Sequence, residues 1–550
     1  MANIKLNRKQ FEKEIGKFDE KMQNKVAMFG TTVENFDDKE IEIEIFPNRP
    51  DLLSYHGFKR SFLAFLGKEE GLKKYKVNKP KKDYQVKIDS SVKKIRPYTA
   101  CAIVKGLKLN DEKIKEIIEI QEKLHTTVGR KRKKVAIGIY PLEKIKLPIT
   151  YTALEPDKIK FVPLESDKEM SGLQILQRHA TGRKYAHLLA GKAKFPIFMD
   201  ADEKILSMPP IINSKLTGKI TEETKNIFVE CSGFDFQILN KCLNIIVTVL
   251  AEMNGEIYQM NLKGIIKEIT PNLTPEKMKL SLENTNKLLG INLTEKQLKK
   301  LIEKMGYDYD KNSIKIPAWR TDILHEVDLI EDIAIAYGYE NFVPEIPDIA
   351  TIGKEDPKET IKRKISEILS GINMLEISNY HLTNKNDQFK KMKIKEQDFI
   401  EVEESKTDYT ILRKDLTHYL LKILSENVDT EYPQKVFEIG KVFHIKKVNE
   451  NQKEIKESEH LAAAITPGNF TELKQILKYL SRMINVEIKL EEPKDFPSYF
   501  IEGRCASIKL ENEELGFIGE IHPKILKNWK IKMPVTLLEI NLDGVLEKLK

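Results

Sequence analysis

A clear hydrophobic period runs through residues 294–306, "TEKQLKKLIEKMG", where Leu298, Leu301, Ile302 and Met305 recur at i, i+3, i+4 and i+7. That spacing predicts an amphipathic helix. Thr294 and Gln297 stand at capping-box positions at its start, and Gly306 supplies a stop. A different pattern fills "WRTDILHEVDLIEDIAIAYGYENF", residues 319–342. A helix from about His325 to Tyr337 would turn Val327, Leu329, Ile330, Ile333 and Ile335 toward a core. It would also set Asp328, Glu331 and Asp332 at i, i+3 and i+4 on another face. Asp322 would lie near the helix N-terminus, where negative charge is favourable. Such a face is either solvated or a holder for a hard cation such as magnesium, which takes oxygen ligands. Spacing alone leaves both readings open. His325 reads as a helix-surface residue.

Elsewhere, "EIEIEIF" (40–46) predicts a strand and "YHGFKRSFLAFLG" a helix, before the lysine-rich "KKYKVNKPKKDY" (73–84), which reads as a linker. "QVKIDSSV", "TACAIVKGL" and "VAIGIY" predict strands and "KIKEIIEIQEKLHTTV" a helix, together one large α+β domain. "CLNIIVTVLAEM" is the longest apolar stretch; it is too short to span a bilayer and reads as a buried helix. After the proline-rich joint "PEIPDIATIGKEDP", the segments "KVFEIGKVFHI", "HLAAAI", "CASIKL", "LGFIGEI" and "VTLLEINL" predict an antiparallel sheet. The fold class expected is α+β multidomain, with segments 1–80, 85–268, 272–345 and 356–550.

Composition narrows the class. The 550 residues suffice for three to five domains, and 41% hydrophobic residues exclude wholesale disorder. The net charge of +8 permits local contacts to nucleic acid without arguing for them. Cys101, Cys231, Cys242 and Cys505 form no CxxC pair and read as free thiols of a reducing compartment. "MANIKLNRKQFEKEIGKF" has no apolar core segment, so no secretory signal is expected. An intracellular protein without a membrane partner is the expectation.

No GxxxxGK[ST], GxGxxG, HExxH or GxSxG motif occurs. The run Gly129–Lys134 is either a phosphate contact or a solvated loop. "SMPPIIN" reads as a rigid turn placing Ser207 and Asn213 or as a purely structural turn, and "VECSGFD" as a pocket rim or an ordinary strand end with Glu230, Ser232 and Asp235 around a glycine.

"FPNRPDLLSYHGFKR", "GRKRKKVAIGI" with "IKFVPL", "LSMPPIIN" and "PAWRTDILHEVDLIEDIAIAYGYENFVPEIP" follow one another in this order. Together they closely resemble the family of phenylalanine–tRNA ligase beta subunits, in the shorter archaeal and eukaryotic-type form, over most of the chain. The resemblance implies an N-terminal α+β domain, a large editing domain, and a small winged-helix-like domain. A catalytically silent class II synthetase-like domain with an antiparallel sheet would come last. It implies Mg2+ held by Asp322, Asp328, Glu331 and Asp332, with Asp332 standing where some relatives have glutamate. It also implies an editing pocket of Ser207, Glu230 and Ser232 with Phe198 on its wall, where mischarged tyrosyl-tRNA is hydrolysed. The implied partners are an alpha subunit, in a tetramer of two alpha and two beta, and the tRNA for phenylalanine, in the cytoplasm.

Relatives commonly carry aspartate and threonine at the positions of Glu230 and Ser232, and histidine–aspartate where Tyr140 and Pro141 stand. Silence of the last domain also follows from its residues. "QKVFEIGKVF" offers Glu438 and lysines but no arginine to grip ATP phosphates bidentately, no GxGxxR follows, and Arg413 reads as structural or interfacial. A freestanding hydrolase of mischarged tRNA is the alternative, disfavoured by the complete synthetase-like C-terminal segment. A non-enzymatic RNA-binding scaffold is weaker still, given the modest charge and the lack of aromatic RNA modules.

Overall fold

A computed structural model describes residues 2–549 apart from Asn312, Glu404, Glu450 and Asn451. The chain divides into two compact units, Met1–Ile346 and Pro347–Lys550. The boundary falls inside the proline-rich joint.

The first unit opens with a three-stranded sheet whose central strand is Glu40–Ile45. Its period-2 pattern buries Ile41, Ile43 and Ile45 on one face. The helix Tyr55–Phe65 starts at Ser54, whose side chain accepts from the Gly57 amide, the capping that a Ser N-cap provides. Its Phe58 and Phe62 are fully buried beside Phe29, each burial contributing about 2–3 kcal/mol.

Next comes a mostly antiparallel sheet of eleven strands among the described residues. In its strand order, Ile212–Asn213, Ile205–Met208, Phe195–Met199 and Ile149–Leu154 lie on one side, and Tyr98–Lys105, Ile227–Gly233 and Val135–Pro141 on the other. The apolar run around Cys242 is the interior of the helix Phe236–Glu252. Among the described residues no helix is long and apolar enough to cross a membrane.

The periodic segment at 294–306 is the helix Glu295–Lys304, with the Thr294–Gln297 capping box formed. Leu298 and Ile302 are buried, and Gly306 takes φ +81°, a conformation glycine adopts at no steric cost. With the helices Leu282–Leu289 and Glu326–Tyr337 it accompanies a three-stranded sheet centred on Ser313–Ile316.

Two features differ from the reading of the sequence. The lysine-rich segment is tied down rather than free: Lys73 pairs with Glu252 at 3.0 Å, the Tyr75 ring meets Trp319 edge-on, and Val77–Asn78 pairs in parallel with Glu256–Gly264. Its two aromatic side chains outweigh the charge of the lysines around them. Moreover, one continuous hydrophobic core runs from Ile4 through Leu243 to Ile330 and Ala336, so the three segments distinguished before residue 346 share an interior.

The second unit is built on a sheet of seven strands among the described residues. The long hairpin Gln434–Asn449 and Gln452–Thr466 is extended by Thr536–Asn541, Glu513–Ile521, Phe500–Leu510 and Ile488–Glu491, all antiparallel. Leu375–Glu376 adds a parallel edge. Alternate residues face two cores, one with Phe437, Leu461 and Ile465, the other with Val436, Ala462 and Ala464. A sheet covered on both faces explains why its strands read as apolar runs.

Candidate functional site

The residues expected to form the hydrolytic pocket come together. Phe198 pairs with Tyr151 on one side and Ser207 on the other, and Ser207 pairs with Asn213. Glu230 stands between Cys101 and Gly138, and Ser232 between Thr99 and Ala136. These pairs occupy opposite ends of the strand order, and Tyr140 joins them. Its phenol oxygen lies 3.2 Å from Glu230 Oε1 and 3.4 Å from Asn213 Oδ1, with one proton to share between the two acceptors. The sheet therefore curls until its two ends share one interior, which also contains Cys101, Tyr151, Phe198 and Phe228.

That interior is closed. Phe198 is 0%, Ser207 1%, Glu230 2% and Ser232 0% exposed. Ser207 Oγ and Glu230 Oε2 are buried without a hydrogen-bond partner, although Ser207 lies near enough to the Tyr140 phenol, and Ser232 to the Glu230 carboxyl, to influence their titration. Buried polar atoms are nearly always paired, so these two stand out in an interior that is otherwise apolar. Burial pushes the Glu230 carboxyl up to about 8, against the opposing pull of Arg96. The carboxyl is thus neutral and able to donate at pH 7.

Arg96 was invisible to sequence reading. Only 3% exposed, it donates from Nε to Ser232 Oγ at 3.2 Å and from Nη1 to the Lys133 carbonyl at 3.3 Å, and its own carbonyl accepts from Tyr151 Oη at 2.8 Å. Burial lowers its guanidinium to about 10. Ser232 is thereby fixed, while Ser207 is left unbound. The basic run turns tightly, with Arg130, Lys131 and Arg132 at φ 45°, 54° and 67°. Arg132 is engaged internally, on Glu122 at 2.8 Å and the Ile211 carbonyl at 2.8 Å.

The acidic helix spans Glu326–Tyr337, with His325 as its N-cap. Leu329, Ile330 and Ile333 are buried as expected. Val327 is not: it is 46% exposed, because the core claims a narrower stripe of this helix than the apolar residues cover.

Asp322, Asp328, Glu331 and Asp332 line one cleft of about 520 Å³, together with Arg49, Asn48 and Tyr339. Their partners differ. Arg320 donates to Asp322 at 2.7 Å and pairs with Asp332 at 2.8 Å, and Asp332 also accepts from Tyr307. Asp328 Oδ2 accepts the Leu324 and His325 amides at 2.7 and 2.8 Å. Glu331 has its carboxyl raised by burial and by Asp332, Asp328 and Asp322. Among the described residues no three His, Cys, Asp or Glu side chains converge closely enough to hold an ion, since Arg320 draws two of the four acids to itself. The all-oxygen donors and the surplus of negative charge around Glu331 nonetheless fit a hard, hydrated cation.

In the second unit Arg413 is 1% and Glu438 1% exposed. Arg413 donates to Glu438 Oε1 at 2.6 Å and to the Lys441 carbonyl at 2.8 Å. A Cβ at Gly440 would lie 2.3 Å from this guanidinium. Arg413 is therefore structural, enclosed within the unit.

Comparison with known proteins agrees with this architecture. Residues 278–339 match the family model of the tRNA synthetase B5 domain, and residues 343–542 that of the phenylalanyl tRNA synthetase beta chain CLM domain. An N-terminal fragment of the phenylalanyl-tRNA synthetase beta subunit from Pyrococcus horikoshii superposes with a TM-score of 0.58 at 37% identity, covering 61% of this chain and 99% of that one. The phenylalanine–tRNA ligase beta subunit of Archaeoglobus fulgidus is 36% identical over 97% of both chains. That of Thermococcus sibiricus is 41% identical over 90% of this chain and 89% of its own. With identity at this level sustained across nearly the whole length, the chain belongs to the phenylalanine–tRNA ligase beta-subunit family.

Proposed function

We propose that this chain is the non-activating subunit of phenylalanine–tRNA ligase. It would work with an alpha subunit, in a cytoplasmic tetramer of two alpha and two beta, to attach phenylalanine to its tRNA. The observation that carries this reading is the 41% identity over 90% of the chain. The domain plan that goes with it is an N-terminal domain at 1–80, an editing domain at 85–268, a small winged-helix-like domain at 272–345 and a silent class II synthetase-like domain at 356–550. The enclosure of Arg413 supports the silence of the last, since a guanidinium already held by Glu438 and two backbone carbonyls cannot grip a phosphate. ATP and phenylalanine then bind on the alpha subunit.

Hydrolysis of tyrosyl-tRNA is the second activity of this reading. A site shaped for phenylalanine rejects an added hydroxyl by only about a hundredfold. Glu230 would recognise the tyrosine hydroxyl, Ser207 would position the attacking water, Ser232 would line the pocket from its place on Arg96, and Phe198 would form its wall. The water oxygen bonds to the ester carbonyl carbon, the bond from that carbon to the ribose oxygen breaks, and the proton passes to the ribose. No side chain here serves as a nucleophile.

Mg2+, where bound, would be held by Asp322, Asp328, Glu331 and Asp332. It would add positive charge to the acidic cleft. Replacing Arg320 by methionine should lower stability by about 2 kcal/mol, as two carboxylates lose a charged donor beside an open cleft. Millimolar Mg2+ should then raise the melting temperature of the variant more than that of the parent. No response to Mg2+ in either protein would mean that these acids do not hold the ion.

The direct test is ATP-dependent charging of tRNA with phenylalanine. The chain alone should charge none, and a mixture with the alpha subunit should charge fully. Charging by the chain alone would overturn the silent assignment of residues 356–550.

A further inference from the structure

Tyr140 lies at the centre of the closed pocket and has no role in the proposed hydrolysis. On the strand Val135–Pro141, residues 138 and 140 share a face. The absence of a side chain at Gly138 lets the Tyr140 ring fold back across it: a Cβ there would fall 2.1 Å from Tyr140 Oη and 2.5 Å from Glu230 Oε1. The ring stacks on Phe228, centroids 5.8 Å apart at 28°, and is fully buried. Its hydroxyl thus arrives on Glu230 and Asn213, the polar groups a substrate phenol would have to meet. Beside it, Ser207 Oγ and Glu230 Oε2 have no partner.

We infer that Tyr140 is an internal stand-in for the tyrosyl group, filling the pocket with its own phenol so that tyrosyl-tRNA enters only when this side chain is displaced. The inference rests on the hydrolytic reading of the pocket given above. Two observations beyond the resemblance support it. The occupant has the same functional group as the substrate, an aryl ring ending in a hydroxyl on a carboxyl. The Tyr140 phenol also meets the polar set incompletely: one oxygen of Glu230 and the Ser207 hydroxyl, close as it lies to the phenol, reach no partner in good hydrogen-bond geometry, as expected where a larger polar ligand would complete the bonding. A residue placed merely to fill a core gains nothing from two orphaned polar neighbours.

The experiment measures deacylation of tyrosyl-tRNA by the assembled alpha–beta complex carrying parental beta, Tyr140→Leu or Tyr140→Ala. Leucine keeps the apolar contact on Phe228 but cannot reach Glu230, so it guards against a cavity too large for folding; a thermal melt of each complex verifies this. Both variants should deacylate at least tenfold faster than the parent, and Tyr140→Phe, which retains the ring, should stay within threefold of it. Calorimetry with L-tyrosinamide supplies a readout independent of hydrolysis: binding should occur to Tyr140→Leu, be weaker for L-phenylalaninamide, and be absent from the parent. Measurable deacylation at the same rate by parent and Tyr140→Leu would overturn the inference while leaving the hydrolytic reading intact. Tyrosinamide binding to Tyr140→Leu without deacylation would uphold the occupied pocket and remove the hydrolytic reading. Failure of tyrosinamide to bind either variant would overturn the inference.

Discussion

Replacing Arg413 by methionine should cost the second unit about 3–5 kcal/mol, the loss expected when one partner of a buried ion pair is removed and the other stays behind. Glu438 would retain only the Asn379 amide and side-chain donors at 3.2 and 2.7 Å, too few for an enclosed carboxylate. The Lys441 and Asn379 carbonyls, which now accept from Arg413 at 2.8 and 3.4 Å, would lose a donor as well. Urea unfolding of the full chain, followed through the transition of residues 347–550, reads the effect. The double variant Arg413→Met/Glu438→Gln should recover part of the loss, because the neutral amide does not need a counter-charge. A single-variant loss below about 1 kcal/mol would contradict an enclosed pair, since only solvent-exposed pairs are that weak.

Stability should also depend on pH through Glu230. Its carboxyl is raised by burial from the ordinary 4.5 to about 8. Between those two values the unfolded chain has released the proton and the folded chain has kept it. The folded state binds more protons, so stability falls as pH rises from 4.5 to about 8 and levels off above. At about 1.4 kcal/mol per unit, the contribution of this one group amounts to roughly 5 kcal/mol. Glu230→Gln should remove this part of the slope: parent and variant should melt together near pH 5, and the variant should be the more stable by several degrees near pH 8.5. Parallel profiles would mean that Glu230 stays ionised in the folded chain and finds solvent or a cation.

Both sites show what can be read before folding. The acidic helix was legible because the period of Leu329, Ile330 and Ile333 is local, and it put Asp328, Glu331 and Asp332 on one face. What the period could not supply was Arg320, whose hold on Asp322 and Asp332 is a contact made across the helix N-terminus. Glu230 and Ser232 lie two apart on one strand, so their shared face was legible, and the resemblance brought Ser207 and Phe198 beside them. Arg96 escaped because it sits in "KKIRPYT", a lysine-rich stretch whose look is that of a surface; only the closing of the sheet buries it. The lysine-rich segment at 73–84 misled in the opposite sense, since Tyr75 and Lys73 are fastened by Trp319 and Glu252, residues far away in sequence.

The unbroken interior joining Ile4 to Ala336 constrains how such a chain can be recombined. A segment exchanged between relatives at residues 278–339 would have to carry side chains that match Trp319, Leu298 and Ile330 to neighbours encoded elsewhere, or leave them wet. Crossovers near Ile346 and Ile352, which are 96% and 99% exposed, sever neither interior. A recombinant joined near residue 346 should therefore leave each interior whole, whereas one joined inside the first 346 residues has to match new side chains across it.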